Sequence, residues 1–169
     1  VGLEKARIKI EVELCEDFNQ YGYDDVQFLV SANPGEPLKP LEKVLSGGEL
    51  SRIMLALKCV FVDKDKIPTL IFDEIDTGIS GRAANKVAFQ LKKVANNRQV
   101  ICVTHLAQIA ACAENHLLIE KTVNDSRTFT TVSSLSYEQR IEEISRIMSG
   151  TEKSEITYNS AKELLDRSL

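Results

Sequence analysis

Apolar residues recur along this chain in two periods, and the shorter period predicts the strands. Residues 7–14 and 26–32 alternate between apolar and polar side chains across a polar turn, so they are predicted to pair as antiparallel strands. The runs 69–72 and 100–103 are apolar without alternation, which predicts strands buried on both faces of a mostly parallel sheet. A further hairpin is expected over 117–134.

The longer period, of 3.6 residues, predicts the helices. Each predicted helix has an apolar face, and a residue typical of a helix end follows or precedes several of them. The predicted helices and faces are: one from Ser46 with Leu50, Ile53, Met54, Leu57, Val60 and Phe61; one capped by Ser80 with Ala84, Val87, Ala88, Leu91, Val94 and Ala95; a short one over 106–113; one over 137–148 with Ile141, Ile144, Ile147 and Met148, ending at Gly150; and one over 160–167 with Ala161, Leu164 and Leu165.

Strands that alternate with helices predict an α/β fold with mostly parallel buried strands and an antiparallel strand pair near each end. A length of 169 residues is enough for a single domain over 1–169. Because the chain begins at Val1 and not at a methionine, we interpret it as a piece of a longer protein.

Composition narrows the environment in which the chain works. The formal charge of -4 gives no overall basic field for non-specific DNA binding, so any DNA contact is expected to be local or elsewhere. The cysteines Cys15, Cys59, Cys102 and Cys112 have no C-x-x-C spacing and are expected to be mostly buried thiols in a reducing compartment. No apolar run is long enough to span a bilayer, which favours a cytoplasmic protein without a membrane partner.

Two adjacent glycines, Gly47 and Gly48, open the helix that follows Ser46. Glycine costs up to about 1 kcal/mol relative to alanine inside a helix, and the sequence shows no packing reason for it here. Ser46 and Glu49 have the spacing of a capping box. A helix N-terminus with bare backbone and a serine hydroxyl is a place where a phosphate can approach closely, although S-x-x-E alone more often marks only a capped surface helix.

Chemically competent side chains follow the two buried strands. Asp73 and Glu74 come directly after the first, and His105 comes soon after the second, so all three are expected at the edge of the sheet where α/β proteins bind ligands. Carboxylates at strand ends and lone histidines are also common as structural residues, and we assign such a structural role to His116.

Several of these blocks resemble parts of ABC-type ATPases. LSGGELSR, at 45–52, is similar to the signature motif, which implies that Ser46, Gly47, Gly48 and Glu49 contact the γ-phosphate of a nucleotide held by a second head. The strand followed by Asp-Glu resembles a Walker B element. This resemblance implies that Asp73 helps to hold Mg²⁺, through water, and that Glu74 is the general base.

The resemblance continues through the loop and the strand that follow. It implies that His105 is the switch histidine, which contacts the γ-phosphate, and that Asp76, Gly78 and Ser80 form the D-loop. Ser80 stands where transporter-type relatives have aspartate, which argues against the transporter branch. The chain contains no G-x-x-x-x-G-K-[ST] loop, the part that grips ATP in this class.

Taken together, the motifs resemble the second half of a split ATPase head of the structural-maintenance-of-chromosomes (SMC) type, and most closely the RecN family of bacterial DNA repair proteins. The blocks that carry this resemblance are NPGEPL, SGGELSRIMLALK, FDEIDTGISG, VTHLAQIAA and RIEEI. It implies the C-terminal lobe of a head that binds ATP and Mg²⁺, with a Walker A half, a second head and DNA as partners, in double-strand break repair near the nucleoid. The alternative is a nucleotide-gated clamp that tethers DNA, in which hydrolysis only resets the assembly.

Overall fold

The structure, a computed structural model, describes residues 5–31, 34–43, 46–61, 64, 66–124, 127–150 and 154–168. The parts of the predictions that concern Ala32, Asn33, Leu45 and residues 125–126 lie outside these residues.

Apart from a two-residue strand and a 3₁₀ turn over residues 39–43, which the sequence did not predict, strands and helices follow one another in the order that the hydrophobic pattern predicts. The elements are β1 (Arg7–Asn19), β2 (Gly22–Ser31), β3 (Lys39–Pro40), a 3₁₀ turn (Leu41–Lys43), α1 (Gly47–Val60), β4 (Thr69–Phe72), α2 (Gly81–Ala95), β5 (Gln99–Cys102), α3 (Ala107–Ala111), β6 (Leu117–Asn124), β7 (Arg127–Ser134), α4 (Tyr137–Ser149) and α5 (Glu155–Ser168).

The strands form three separate sheets. β1, β2 and β3 are antiparallel neighbours, with Val12 opposite Val26, and β6 and β7 form the second antiparallel pair. β4 and β5 are parallel, with Phe72 opposite Cys102. The α/β class and the two antiparallel pairs are confirmed, and within the described ranges the parallel pairing is confined to β4 and β5.

The larger apolar core lies between α1, α2 and one face of the parallel strands. Its α2 face is the one that the 3.6-residue period predicts, apart from Ala95, which is exposed. The core residues are Leu55, Leu70, Phe72, Ile75, Val87, Ala88, Leu91, Val94 and Ile109. This core fixes where β4 and β5 end, and therefore where the residues that follow them lie.

A second core joins α3, α4 and α5. Ile141 and Ile144 of α4 pack there with Ala161 and Leu165 of α5, as the sequence predicts. Arg140 is buried beside them, and its guanidinium donates hydrogen bonds to the carbonyl oxygens of Ala111, Ala113 and Glu114. Because these carbonyls lie at the end of α3 and just after it, the side chain caps the C-terminus of that short helix.

The buried face of α1 is not the face that the sequence predicts. The buried residues of α1 are Gly48, Arg52, Ile53 and Leu55, whereas most of the predicted stripe, including Leu50, Met54 and Val60, is exposed. The helix is apolar over more than half of its circumference, so hydrophobic periodicity alone could not select the side that packs in this chain.

The prediction that β4 and β5 are buried on both faces is wrong in this chain. Leu70 is 8% exposed, but Ile71, which points to the other side, is 69% exposed, and Ile101 of β5 is 44% exposed. One face of the pair packs on helices, and the other forms an apolar surface that continues to Leu50 and Met54 of α1 through a shallow groove.

Three smaller predictions also change. Helix α5 begins at Glu155 and not near Ser160, because the Ser154 hydroxyl accepts a hydrogen bond from the Thr157 N–H and starts the helix early. Ser80 holds the N-cap position of α2 without a side-chain cap bond. The four cysteines are free and only half-buried.

Burial still controls the chemistry of one thiol. Loss of solvation, with the nearby Asp76 and Asp73 carboxylates, raises the pKa of Cys102 to about 12, so this thiol stays protonated at neutral pH. Among the residues that the structure describes, no helix is long and apolar enough to cross a membrane.

The exposed face of β4 can be tested by measuring the self-association and the unfolding free energy of a variant at Ile71. Ile71→Thr should reduce self-association of this chain, because it makes the bare strand face polar and keeps a β-branched side chain. Its unfolding free energy should change by less than about 0.5 kcal/mol. Sedimentation velocity and urea unfolding measure the two quantities.

The matched control is the neighbouring residue on the opposite face. Leu70→Thr should destabilise the fold by about 2–5 kcal/mol, because Leu70 belongs to the core. Equal losses of stability in the two variants would contradict the assignment of one covered and one bare face.

Candidate active site

The N-terminus of α1 has the predicted capping box. The Ser46 hydroxyl accepts a hydrogen bond from the Glu49 N–H at 3.4 Å, and Glu49 Oε2 accepts one from the Ser46 N–H at 3.1 Å. Ser46 and Gly47 are exposed, whereas Gly48 is buried. The helix therefore presents to the surface the positive end of its dipole, the Ser46 hydroxyl and the backbone of Gly47, which no side chain covers.

The glycines have a packing reason, which the sequence analysis did not find. A Cβ on Gly48 would lie 2.8 Å from the carbonyl oxygens of both Glu74 and Thr77. A Cβ on Gly47 would fall inside contact distance of Glu74 Oε2. The start of α1 thus packs directly on the loop that follows β4, and glycine is what allows the two backbones to meet.

Glu74 adopts a backbone conformation that side chains rarely take. Its φ is 55°, the only positive value among the described non-glycine residues, and such a conformation costs on the order of 1–3 kcal/mol. Its N–H donates to Asp73 Oδ1 at 2.9 Å, and its carbonyl accepts from the Thr77 N–H at 3.0 Å. These bonds, with Gly48 against its carbonyl, hold the turn that aims Glu74.

Two side chains of α1 fix the same loop from the side. Arg52 is buried, and its Nη1 donates to the carbonyl oxygens of Ile75 at 3.2 Å and Thr77 at 2.8 Å. The Ser51 hydroxyl donates to the Asp73 carbonyl at 2.8 Å. Burial lowers the pKa of Arg52 from its usual value, and Glu49 and Asp76 oppose this shift.

Asp76 connects the loop after β4 with the loop after β5. Its side chain is 2% exposed, and its Oδ2 accepts hydrogen bonds from the Thr104 hydroxyl at 2.6 Å and the His105 N–H at 2.8 Å. The His105 Nδ1 lies 3.2 Å from the same oxygen, while the rest of that imidazole is largely exposed. The structure therefore brings together the two strand ends, as the sequence predicts.

The remaining predicted residues lie at the margin of this arrangement. Gly78 is exposed, with φ 75°, and Ser80 is exposed at the start of α2. His116 is half-buried away from the strand ends, where loss of solvation and the nearby Arg140 lower its pKa, with Glu143 opposing the shift.

Sequence reasoning missed Ser51, Arg52 and Thr104. Arg52 follows Gly48 by four residues on one helical face, so a glycine and an arginine on the buried side of α1 were the available signal for a close loop. Thr104 gave no separate signal, since a threonine before a histidine is unremarkable without the contact to Asp76.

The donor set is incomplete for a metal site. Within the described ranges, no three His, Cys, Asp or Glu side chains converge on a point where they could hold an ion. Asp73 is exposed, and one of its oxygens is taken by the Glu74 N–H. This carboxylate fits one outer or inner contact to Mg²⁺, whose other ligands in nucleotide enzymes are phosphates, waters and P-loop groups.

The two glycines make a paired stability prediction. Gly48→Ala should destabilise the fold by about 1–3 kcal/mol, because the new methyl group would meet two backbone carbonyls that cannot swing away. Gly47→Ala should cost less, because the carboxylate of Glu74 can rotate. Urea unfolding of both variants tests this order, and a larger loss for Gly47→Ala would contradict it.

Comparison with known proteins adds relatives along nearly the whole chain. No protein-family model matches it. The chain is 50% identical to the DNA repair protein RecN of Halalkalibacterium halodurans over 168 residues, which is 97% of this chain and 30% of that protein. It is 50% identical to RecN of Bacillus subtilis over 146 residues, and 46% identical to RecN of Vibrio cholerae over 166 residues. The chain spans 25–30% of the length of these curated relatives, in their C-terminal region.

Solved structures show the same fold. The Smc head domain of Pyrococcus yayanosii, determined with a coiled coil and joint, has a TM-score of 0.60 at 22% identity and covers 87% of this chain and 27% of that one. The Smc head of Pyrococcus furiosus, determined with the C-terminal domain of ScpA, has a TM-score of 0.56 at 24% identity and covers 87% of this chain and 35% of that one. With a fold of the SMC-head type and 44–50% identity to RecN proteins along nearly all of its length, the chain belongs to the RecN family.

Proposed function

We propose that this chain is the C-terminal lobe of an ATPase head that acts in DNA double-strand break repair. In this proposal it supplies a signature motif to a nucleotide held by a second copy of the head. It also supplies the Walker B carboxylates and the switch histidine to the nucleotide held by its own head. ATP and Mg²⁺ are the cofactors, and DNA is a partner of the longer protein.

One observation carries the proposal. Glu74 follows β4 and His105 follows β5, and Asp76 joins the two loops at the carboxyl end of this parallel pair. Carboxyl ends of parallel strands are where α/β proteins place ligands. A carboxylate and an imidazole fixed at that edge have the chemistry needed to activate a water and to donate to a phosphate.

The proposed chemistry assigns one task to each side chain. Glu74 accepts a proton from the attacking water as general base. Its backbone turn is packed against the start of α1, which limits the positions that the carboxylate can take. His105 donates a ring N–H to an oxygen of the terminal phosphate, where negative charge is held during transfer. Mg²⁺, when bound, neutralises phosphate charge, and Asp73 offers it one carboxylate oxygen or a water held by that oxygen.

The start of α1 suits a phosphate that arrives from outside this chain. The first N–H groups of a helix have no carbonyl partner within it, and the dipole favours an anion there. Ser46 and Gly47 are exposed at this end. A nucleotide on a second head is the partner that the signature resemblance implies for this surface.

The exposed apolar face of β4, β5 and α1 is evidence for a second lobe that covers it. Ile71, Ile101, Leu50 and Met54 form an exposed surface beside the site, and the chain has no Walker A loop of its own. We propose that the Walker A half of the head covers this face. Burial of apolar side chains is then the driving force that joins the two halves.

Glu74→Gln in the full-length protein tests the function. The amide keeps the shape but cannot act as a base, so ATP turnover should fall by about 10²–10⁴-fold while ATP binding persists. Steady-state hydrolysis and nucleotide titration measure the two effects. Glu142→Gln, the same change on the exposed face of α4, is the control and should leave both unchanged. Turnover within a few-fold of the parent in Glu74→Gln would refute the assignment of the base.

Ser46→Arg tests the role of the helix entry. A large cation should fill the space that the partner's phosphate needs, so ATP-dependent association of heads should be lost while each head still binds nucleotide. Sedimentation of the full-length protein with and without ATP is the measurement.

The control for the lost cap is Ser136→Arg. Ser136 makes the same capping box at the start of α4, so its loss should cost a similar ~0.5–2 kcal/mol without touching head association. If both serine variants associate with ATP like the parent, the helix entry does not face a second head.

A further inference from the structure

Asp76 is a buried carboxylate, and among the described residues its hydrogen-bond donors belong to the loop that carries His105. A carboxylate with 2% exposure must be compensated by donors, because an uncompensated buried charge is costly. The Thr104 hydroxyl donates to it at 2.6 Å and the His105 N–H at 2.8 Å. The compensation therefore fixes the backbone and one side chain of the loop after β5.

The same oxygen also lies beside the imidazole. Asp76 Oδ2 is 3.2 Å from His105 Nδ1, and the largely exposed ring leaves Nε2 as the nitrogen that is free of this carboxylate. A carboxylate beside one ring nitrogen sets the direction of the ring, because the ring can bond to that carboxylate only through the nearer nitrogen.

A third contact extends the effect into the next helix. The Thr104 hydroxyl, while it donates to Asp76, accepts a hydrogen bond from the Leu106 N–H at 3.1 Å. Leu106 holds the N-cap position of α3. One buried carboxylate thus orders every backbone step from Thr104 to the start of that helix.

We infer that Asp76 is a positioning residue that acts through His105: it holds the switch loop and keeps Nδ1 at its carboxylate, so that the Nε2 edge of the ring faces the terminal phosphate. The inference rests on the proposed function and assigns this D-loop residue a task within its own chain. Asp76 touches neither nucleotide nor water in this scheme.

The test is a double-mutant cycle of ATP hydrolysis in the full-length protein. Asp76→Asn keeps an oxygen that can accept from Thr104 and from the His105 N–H but removes the charge beside the ring. It should lower kcat about 10- to 100-fold, the range found for groups that orient a functional histidine, with KM for ATP within about 3-fold. In a His105→Gln background the same change should lower kcat by less than about 2-fold further, because the group through which it acts is gone.

Thr104 supplies a second variant in case Asp76→Asn folds poorly. Thr104→Val removes one donor to the carboxylate without changing shape, and it should lower kcat and be silent in the His105→Gln background. Thr104→Ser, which keeps the hydroxyl, should stay closer to the parent than Thr104→Val. Thermal unfolding of each variant shows whether the protein remains folded.

Each outcome decides between the possibilities. If the fold-losses in kcat multiply when Asp76→Asn or Thr104→Val is combined with His105→Gln, the positioning role of Asp76 is overturned and the proposed function stands. A change in KM without a change in kcat would have the same meaning. A His105→Gln variant with the kcat of the parent would overturn both. A silent Asp76→Asn in a folded protein, with His105→Gln impaired, would overturn the inference alone.

Discussion

The contact of Arg52 with the loop after β4 is the interaction on which the candidate site depends. A buried guanidinium donates to the carbonyls of Ile75 and Thr77, and these carbonyls bracket Asp76. Without that donor, the buried carbonyl of Ile75 would lose a partner, at a cost of about 1–3 kcal/mol, and the more exposed carbonyl of Thr77 would lose one at a smaller cost. The position of Asp76, and through it that of His105, therefore starts from a side chain on α1.

The start of α1 and the loop after β4 are in direct contact, and each carries one of the proposed functions. The start of α1 is the proposed contact for a nucleotide on a second head, and the loop packed against it carries the proposed base, Glu74, for a nucleotide on the same head. Gly48, Arg52 and Ser51 connect the two by direct contact with backbone atoms. A shift at one surface must therefore move atoms at the other, since packed backbones have little freedom to yield.

Motifs and periodicity predicted much of this structure, and the misses have a common physical origin. The α/β class, the capping box of α1 and the meeting of the two strand ends followed from local patterns. The buried side of α1 and the bare face of β4 did not, because a helix that is apolar over more than half of its circumference and a strand that is apolar on both faces carry no information about what covers them. Arg52 and Thr104 were missed because their partners are backbone atoms or a carboxylate distant in sequence.

The left-handed backbone of Glu74 has a consequence for how this position can vary. At φ 55° the residues that fit with least strain are glycine, asparagine and aspartate, and β-branched residues fit worst. A substitution at this position therefore changes two properties at once, the acid group and the shape of the turn. Valine or isoleucine removes both, whereas asparagine removes the acid and spares the turn, so asparagine is the replacement that would remove the proposed base and keep the fold.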